Sequence, residues 1–194
     1  MKEYESYSDH MLASMLAGNI PESNIAFNVL YSRYRKKLFS YCLFLAGNRD
    51  IASDLFQEAW IKFDAAAKKG IEIENPLPYL ISIARKEFLC DLRKETARNK
   101  IAETGNMAFA DELICCPSGE KEYEKKELID LIHKAVNSLD DHYREAFVLK
   151  RFDELSYKEM SMVCGETVDC MKTRVSRATS MIKELLKEYI KELI

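Results

Sequence analysis

The sequence predicts an all-α protein: two small helical domains joined by a flexible linker, the C-terminal one carrying a helix-turn-helix. Three observations lead there. Apolar residues recur at three- and four-residue spacing from Asp9 to Lys94 and again from Lys125 onward, with no strand-like alternation and no internal repeat. Only 6 glycines and 4 prolines occur in 194 residues, beside 47% apolar and 31% charged residues, the composition of a globular, helix-rich chain. Between the two periodic stretches, residues 96–124 lose their periodicity and gather Gly105, Pro117 and Gly119, which marks a linker. The expected domains are therefore 1–95 and 125–194.

Each element has its own local reason. Ile25, Phe27, Val29, Leu30, Tyr34, Leu38, Tyr41 and Leu45 trace one long helix, broken at Gly47. Asp50 is placed to cap the next helix, whose apolar face reads Ile51, Leu55, Ala59 or Trp60, and Phe63. Gly70 suits the end of that helix. A loop through GIEIENPLP follows, with Pro78 in the first turn of the next helix, PYLISIARKEFLCDLRKE. Beyond the linker, Leu128, Leu131, Ile132, Ala135, Val136 and Leu139 form one face, and Asp140-Asp141 is placed to cap HYREAFVLKRF.

Composition excludes several classes of function. The net charge of −3 argues against nucleic-acid binding by bulk charge, so any such contact must come from local patches. The useful asymmetries are the last helix and the run Arg33, Arg35, Lys36, Lys37. No apolar run approaches the ~20 residues that span a bilayer, and MKEYESYSDHMLA is too polar for a signal peptide. A cytoplasmic chain without membrane insertion is expected. Cys42, Cys90, Cys164 and Cys170 fall in helical patterns and Cys115 neighbours Cys116, while no CxxC occurs, so free thiols are expected and no metal. HExxH, a phosphate-binding glycine loop and a Ser/His/Asp set are all missing from the sequence. No enzyme activity, cofactor or small-molecule substrate is expected.

The stretch Leu155 to Met181 carries the chemistry. Ser156 and Glu159 have capping-box spacing, and Met160 and Val163 point to a core. Gly165 permits a left-handed turn, and Thr167 is placed to cap a second helix. That helix buries Met171, Val175, Ala178 and Ile182 and leaves Lys172, Arg174 and Arg177 outward. Bare cations on one helix behind a tight turn suit the DNA major groove. A helical hairpin with a solvated basic face is the ordinary alternative.

This stretch, LSYKEMSMVCGETVDCMKTRVSRATSMIKELL, resembles the region 4 helix-turn-helix of bacterial extracytoplasmic-function (ECF) sigma factors. Upstream, SLDDHYREAFVLKRFDELS is similar to the helix preceding it, with Arg144-Glu145 kept and Asp140 where proline is common. NRDIASDLFQEAWIKF independently resembles region 2.2 of the same family, at Asp54, Leu55, Gln57 and Glu58. PYLISIARKEFLCDLRK resembles region 2.4, at Pro78, Leu80, Ile83, Ala84, Arg85, Asp91 and Arg93. Two unrelated motifs in the right order are far more specific than either alone. Cys170 and Met171 stand where Thr and Val are usual, Glu166 replaces an apolar turn residue, and Lys86 replaces a frequent Asn.

The resemblance implies an RNA polymerase sigma factor, with core polymerase, promoter DNA and an anti-sigma factor as partners. It implies −35 contacts from Lys172, Arg174 and Arg177, with Thr167 and Ser176 secondary. It implies −10 contacts from Asn75, in the loop that forms a base pocket, and from Tyr79, Arg85, Lys86 and Arg93. Tyr79 suits base stacking or a core position equally. Asp54, Gln57 and Glu58 share one helical face, which the family sets against polymerase. It implies a linker that threads toward the polymerase's RNA exit path, where Glu103, Asp111, Glu112, Glu120, Glu122 and Glu124 would mimic nucleic acid; a flexible spacer is the ordinary alternative and the one favoured. A stand-alone helix-turn-helix regulator is the alternative, with residues 1–95 used for dimerisation or ligand sensing.

Overall fold

In a computed structural model of the chain, the described residues are 4–98, 131, 132 and 134–192. They are helical, with no strand among them. The chain divides into two compact units, Met1–Gly105 and Asn106–Ile194.

In the first unit, the four helices are α1 (Asp9–Met15), α2 (Ile20–Ala46), α3 (Arg49–Lys68) and α4 (Pro76–Arg98). α2 packs on α1, α3 and α4, and α3 packs on α4. Leu12, Leu16, Leu30, Leu38, Tyr41, Phe44, Phe63, Leu80 and Ile81 are fully enclosed and form the centre of the core. Phe27, Tyr31, Phe56 and Phe63 surround Trp60 with ring centroids 5.2–6.4 Å apart, the separations at which edge-to-face aromatics attract. Before α1, a single turn at Tyr4–Ser6 buries nothing of its own. Arg33 holds it, donating to the carbonyls of Glu5 (2.6 Å) and Tyr7 (2.9 Å) and pairing with Asp9 (2.5 Å). Arg33 thus leaves the basic run noted in the sequence and serves the fold. Tyr34 also hydrogen-bonds Asp9.

Two local expectations are corrected. Asp50 does not cap α3. The cap is Asn48, whose side-chain oxygen accepts from the amides of Asp50 (2.8 Å) and Ile51 (3.2 Å), because Gly47 at φ 59° turns the chain immediately before it and the helix starts at Arg49. Ile51 does not face the core either and is 50% exposed. The buried stripe is Ala52, Leu55, Ala59, Trp60, Phe63, Ala66 and Ala67, and Ile51 lies about 100° round the helix from its middle. Gly70, at φ +79°, follows the end of α3 as expected. α4 starts at Pro76, two residues before the expected start, with Ile73 and Leu77 buried on either side.

In the second unit, residues 134–137 end a helical segment that buries Ala135 and Val136. Then come α5 (Asp141–Arg151), α6 (Tyr157–Cys164) and α7 (Val168–Glu192). α7 packs on α5 and α6. Asp140 stands at the N-cap of α5 but makes no side-chain cap bond. Arg144 is 7% exposed and donates to the carbonyls of Val136, Asn137 and Leu139. It thereby satisfies backbone acceptors that the end of a helix leaves open. The capping box of α6 forms in full: Ser156 Oγ accepts from Glu159 N at 3.3 Å, and Glu159 Oε2 accepts from Ser156 N at 2.7 Å. Gly165 closes α6 at φ 70°.

Leu128, His133, Cys115, Cys116 and the linker acids fall outside the described residues, apart from the end of α4, which runs to Arg98 past the expected boundary at 95. Among the described residues Cys42, Cys90, Cys164 and Cys170 form no disulfide, and no helix is long and apolar enough to cross a membrane.

A Cβ at Gly165 would meet nothing within 4 Å, so the cost of Gly165→Ala is that of the left-handed backbone alone. We expect a loss of about 1 kcal/mol, and less for Asn, read from urea unfolding followed by helical circular dichroism.

Candidate functional site

The exposed face of α7 is set by what the helix buries. Met171, Val175, Ala178 and Ile182 are 0–5% exposed, one apolar stripe. Asp169, Lys172, Thr173, Ser176, Arg177 and Ser180 lie on the opposite, exposed side. Thr167 caps the helix, its Oγ1 accepting from Cys170 N at 3.2 Å. Lys172 pairs with Asp169 at 3.1 Å, both well exposed. Arg177 Nη1 donates to Tyr143 Oη on α5 at 3.2 Å, and this bond, together with the phenol's charge interaction, raises the guanidinium above its ordinary value. An arginine is charged at any working pH in any case, so the bond fixes position and not charge.

Arg174 departs from expectation. It does not stand outward: its side chain is 21% exposed and folds back onto Glu166, Nη2 to Oε1, at 2.8 Å. The reason is register. Arg174 lies only about 70° from the middle of the buried stripe, so its stem runs along the edge of the core.

On α3, the exposed side carries Asp54 and Gln57, with Glu58 half-buried. The three sequence-predicted residues are thus brought together. Two exposed isoleucines flank them, Ile51 and Ile61, the latter 63% exposed. Glu58 is not free. Lys62 holds it at 3.1 Å and reaches Glu87 of α4 at 2.6 Å. The hydrogen bond with Glu87 is the largest cause of the raised Lys62 ammonium, with Glu58 adding to it and desolvation opposing.

On α4, Tyr79, Lys86 and Arg93 recur every seven residues and share a stripe. Lys86 and Arg93 are exposed, and Arg85 is half-buried. Asn75 is exposed immediately before the helix, and its carbonyl accepts from Tyr79 N at 3.4 Å. Tyr79 is half-buried with its ring edge-on to Phe63, centroids 6.2 Å apart. It belongs in part to the core, which leaves only a portion of the ring for a base.

Known proteins were compared with this arrangement. The family model for Sigma-70 region 2 matches residues 30–98, and that for Sigma-70 region 4 matches residues 129–181. An ECF RNA polymerase sigma factor EcfG of Rhodopseudomonas palustris is 30% identical over 149 residues, covering 77% of this chain and 78% of that protein. The chain belongs to the ECF sigma factors. A second relative, the ECF sigma factor SigW of Bacillus subtilis, is 26% identical over 84% of this chain and 90% of its own. Among solved structures, the sigma factor RpoE of Bartonella quintana, in complex with the anti-sigma factor NepR, superposes with a TM-score of 0.62 at 27% identity. That match covers 83% of this chain and 96% of that one. The sigma factor CnrH, in complex with the cytosolic domain of CnrY, shares the fold at a TM-score of 0.60 and 18% identity. Sigma factors are transcription initiation factors; in this one the region 2 match takes in most of α2 with α3 and α4, and the region 4 match takes in α5, α6 and α7 as far as residue 181.

Four features escaped the sequence reading: the Glu166–Arg174 pair, the Arg177–Tyr143 bond, the Lys62 bridge between α3 and α4, and the exposure of Ile51. The first had a visible signal, since an acid replaced an apolar turn residue. The Arg177–Tyr143 bond and the Lys62 bridge depend on how helices meet in space, and the exposure of Ile51 on its angle around α3. The Lys62 bridge joins groups that water reaches, so Lys62→Ala should lower stability by less than about 1 kcal/mol. The effect should shrink further in 1 M salt, as thermal unfolding at two ionic strengths would report.

Proposed function

We propose that this sigma factor places α7 in the major groove of a −35 element, with Lys172, Arg174 and Arg177 as the contacts and Thr167 and Ser176 secondary. The observation that carries this reading is the exposed stripe of α7, behind a glycine turn and opposite a fully apolar face. The N-terminal end of such a helix contacts base edges in helix-turn-helix proteins. Asn75 and the loop before α4 would receive a flipped −10 base, because an unpaired base held in a pocket cannot re-stack. Lys86 and Arg93, with Arg85, would hold the backbone, and Tyr79 would offer the edge of its ring.

The face of Asp54, Gln57 and Glu58 is assigned to core polymerase. Ile51 and Ile61 add exposed apolar contact at its two ends. Residues 1–95 and 125–194 act as the two binding domains, with 96–124 as the spacer. The chain works in the cytoplasm, performs no chemistry of its own and needs no cofactor. An anti-sigma factor is the expected regulator, supported by the complexes in which its structural relatives were solved.

Transcription by core polymerase plus this chain on a library of random promoters tests the reading; initiation at no member would sink it. Lys172→Ala should cut −35-dependent initiation about tenfold, the worth of one good base contact, with core binding unchanged. Arg177→Ala should lower the salt slope of promoter binding by about 1. Asp54→Ala with Gln57→Ala should weaken core binding about tenfold, as loss of interface hot spots does. Tight promoter binding by the chain without core enzyme would favour the stand-alone regulator instead.

A further inference from the structure

Glu166 occupies a turn that is held from several sides. Its amide donates to Ser161 O at 3.2 Å, and its carbonyl accepts from Ser161 Oγ at 2.5 Å. On one side Gly165 fixes the left-handed step, and on the other Thr167 caps α7. A residue pinned at both backbone groups carries its side chain in a fixed place. That side chain holds Arg174, eight residues further on, at 2.8 Å. Side chains on a helix lean toward its N-terminus, and Arg174 follows this rule to reach Glu166. Its guanidinium therefore lies near the first turn of α7, the end that meets base edges in a helix-turn-helix.

We propose that Glu166 is a positioning residue that holds the Arg174 guanidinium in a fixed orientation to read a guanine in the −35 element. The inference rests on α7 being the −35 reader. The chemistry favours a base over a phosphate. A guanidinium paired with a carboxylate has little net charge left for the backbone, and Glu166 and Asp169 both repel phosphate at this end of the helix. Only one Arg174 N–H is spent on Glu166, and a guanidinium has five in a rigid fork. Guanine offers the O6 and N7 acceptors that such a fork meets in pairs. A long side chain that must order itself on binding loses rotamer freedom, and one already held by a buttress loses less. Lys172 has no comparable support, since its pair with Asp169 is exposed on both sides.

The test uses the full chain with core polymerase and a promoter library randomised at the −35 element, read by initiation from each member. The wild-type protein should prefer guanine at one position by on the order of ten- to a hundredfold, and R174A should abolish that preference. E166A should reduce it at least about fivefold, whereas E166Q, which keeps an acceptor oxygen, should retain most of it. In the R174A background, E166A should have no further effect. The salt slope of promoter binding should be the same for E166A and wild type, because no phosphate contact is lost. Should E166A fail to fold, E166D carries the test: its shorter reach should lower the guanine preference with the charge intact. The proposal falls if E166A and E166D leave the preference intact, if R174A does not alter it, or if E166A tightens binding to all sequences equally. That last result would make Glu166 a general repellent of phosphate. Initiation at no library member by the wild-type protein would remove the −35 reading, and the proposal with it. A selected promoter whose base preference survives E166A would remove the proposal alone.

Discussion

The apolar stripe of each amphipathic helix decides what that helix can offer to a partner. On α7, Met171, Val175, Ala178 and Ile182 are committed to the interior, and that commitment turns Lys172, Ser176 and Arg177 outward. On α3, the stripe through Leu55, Ala59 and Phe63 does the same for Asp54 and Gln57. Burial of these side chains contributes on the order of 1.5–3 kcal/mol for each large one, several times what an exposed ion pair supplies. The functional faces are thus positioned by hydrophobic packing, and the charges on them are free to be chosen for binding.

Much of this was legible in the chain. Helical periodicity, the Ser156–Glu159 spacing, Gly165 and Thr167 all had the structural consequences that local chemistry predicts, because caps and turns are decided by neighbours within a few residues. The four buried positions of α7 were legible for the same reason. The errors arose where a residue or two of register mattered. Asp50 and Asn48 are both good caps, and the left-handed Gly47 selects between them. Ile51 is apolar, yet its angle on α3 keeps it out of the core. Arg174 is a cation, but its place beside the buried stripe bends it toward Glu166. Contacts between helices, such as Arg177 with Tyr143 and Lys62 with Glu87, depend on packing geometry that periodicity does not encode.

The electrostatics of the two units share one pattern: the cations carry partners that limit where they can go. Asp169, Glu166 and Tyr143 each engage a basic residue of α7, and Lys62 divides itself between two carboxylates. A chain with net charge −3 is poorly suited to holding nucleic acid by attraction alone. Recognition by such a protein depends on shape and hydrogen bonding at a few points.

The turn between α6 and α7 has a kinetic consequence as well. Its side-chain bonds join residues three to eight positions apart: Ser156 with Glu159, Thr167 with Cys170, Ser161 with Glu166, and Glu166 with Arg174. The N-terminal unit is closed differently, by Arg33 reaching back 24 to 28 residues to Asp9, Tyr7 and Glu5. Short loops close at lower entropic cost than long ones, and folding rates rise as contacts become more local. The helix-turn-helix can therefore assemble quickly from its own neighbourhood, while the N-terminal unit must wait for distant segments to meet. Although it follows the N-terminal unit along the chain, the helix-turn-helix needs less time to become competent.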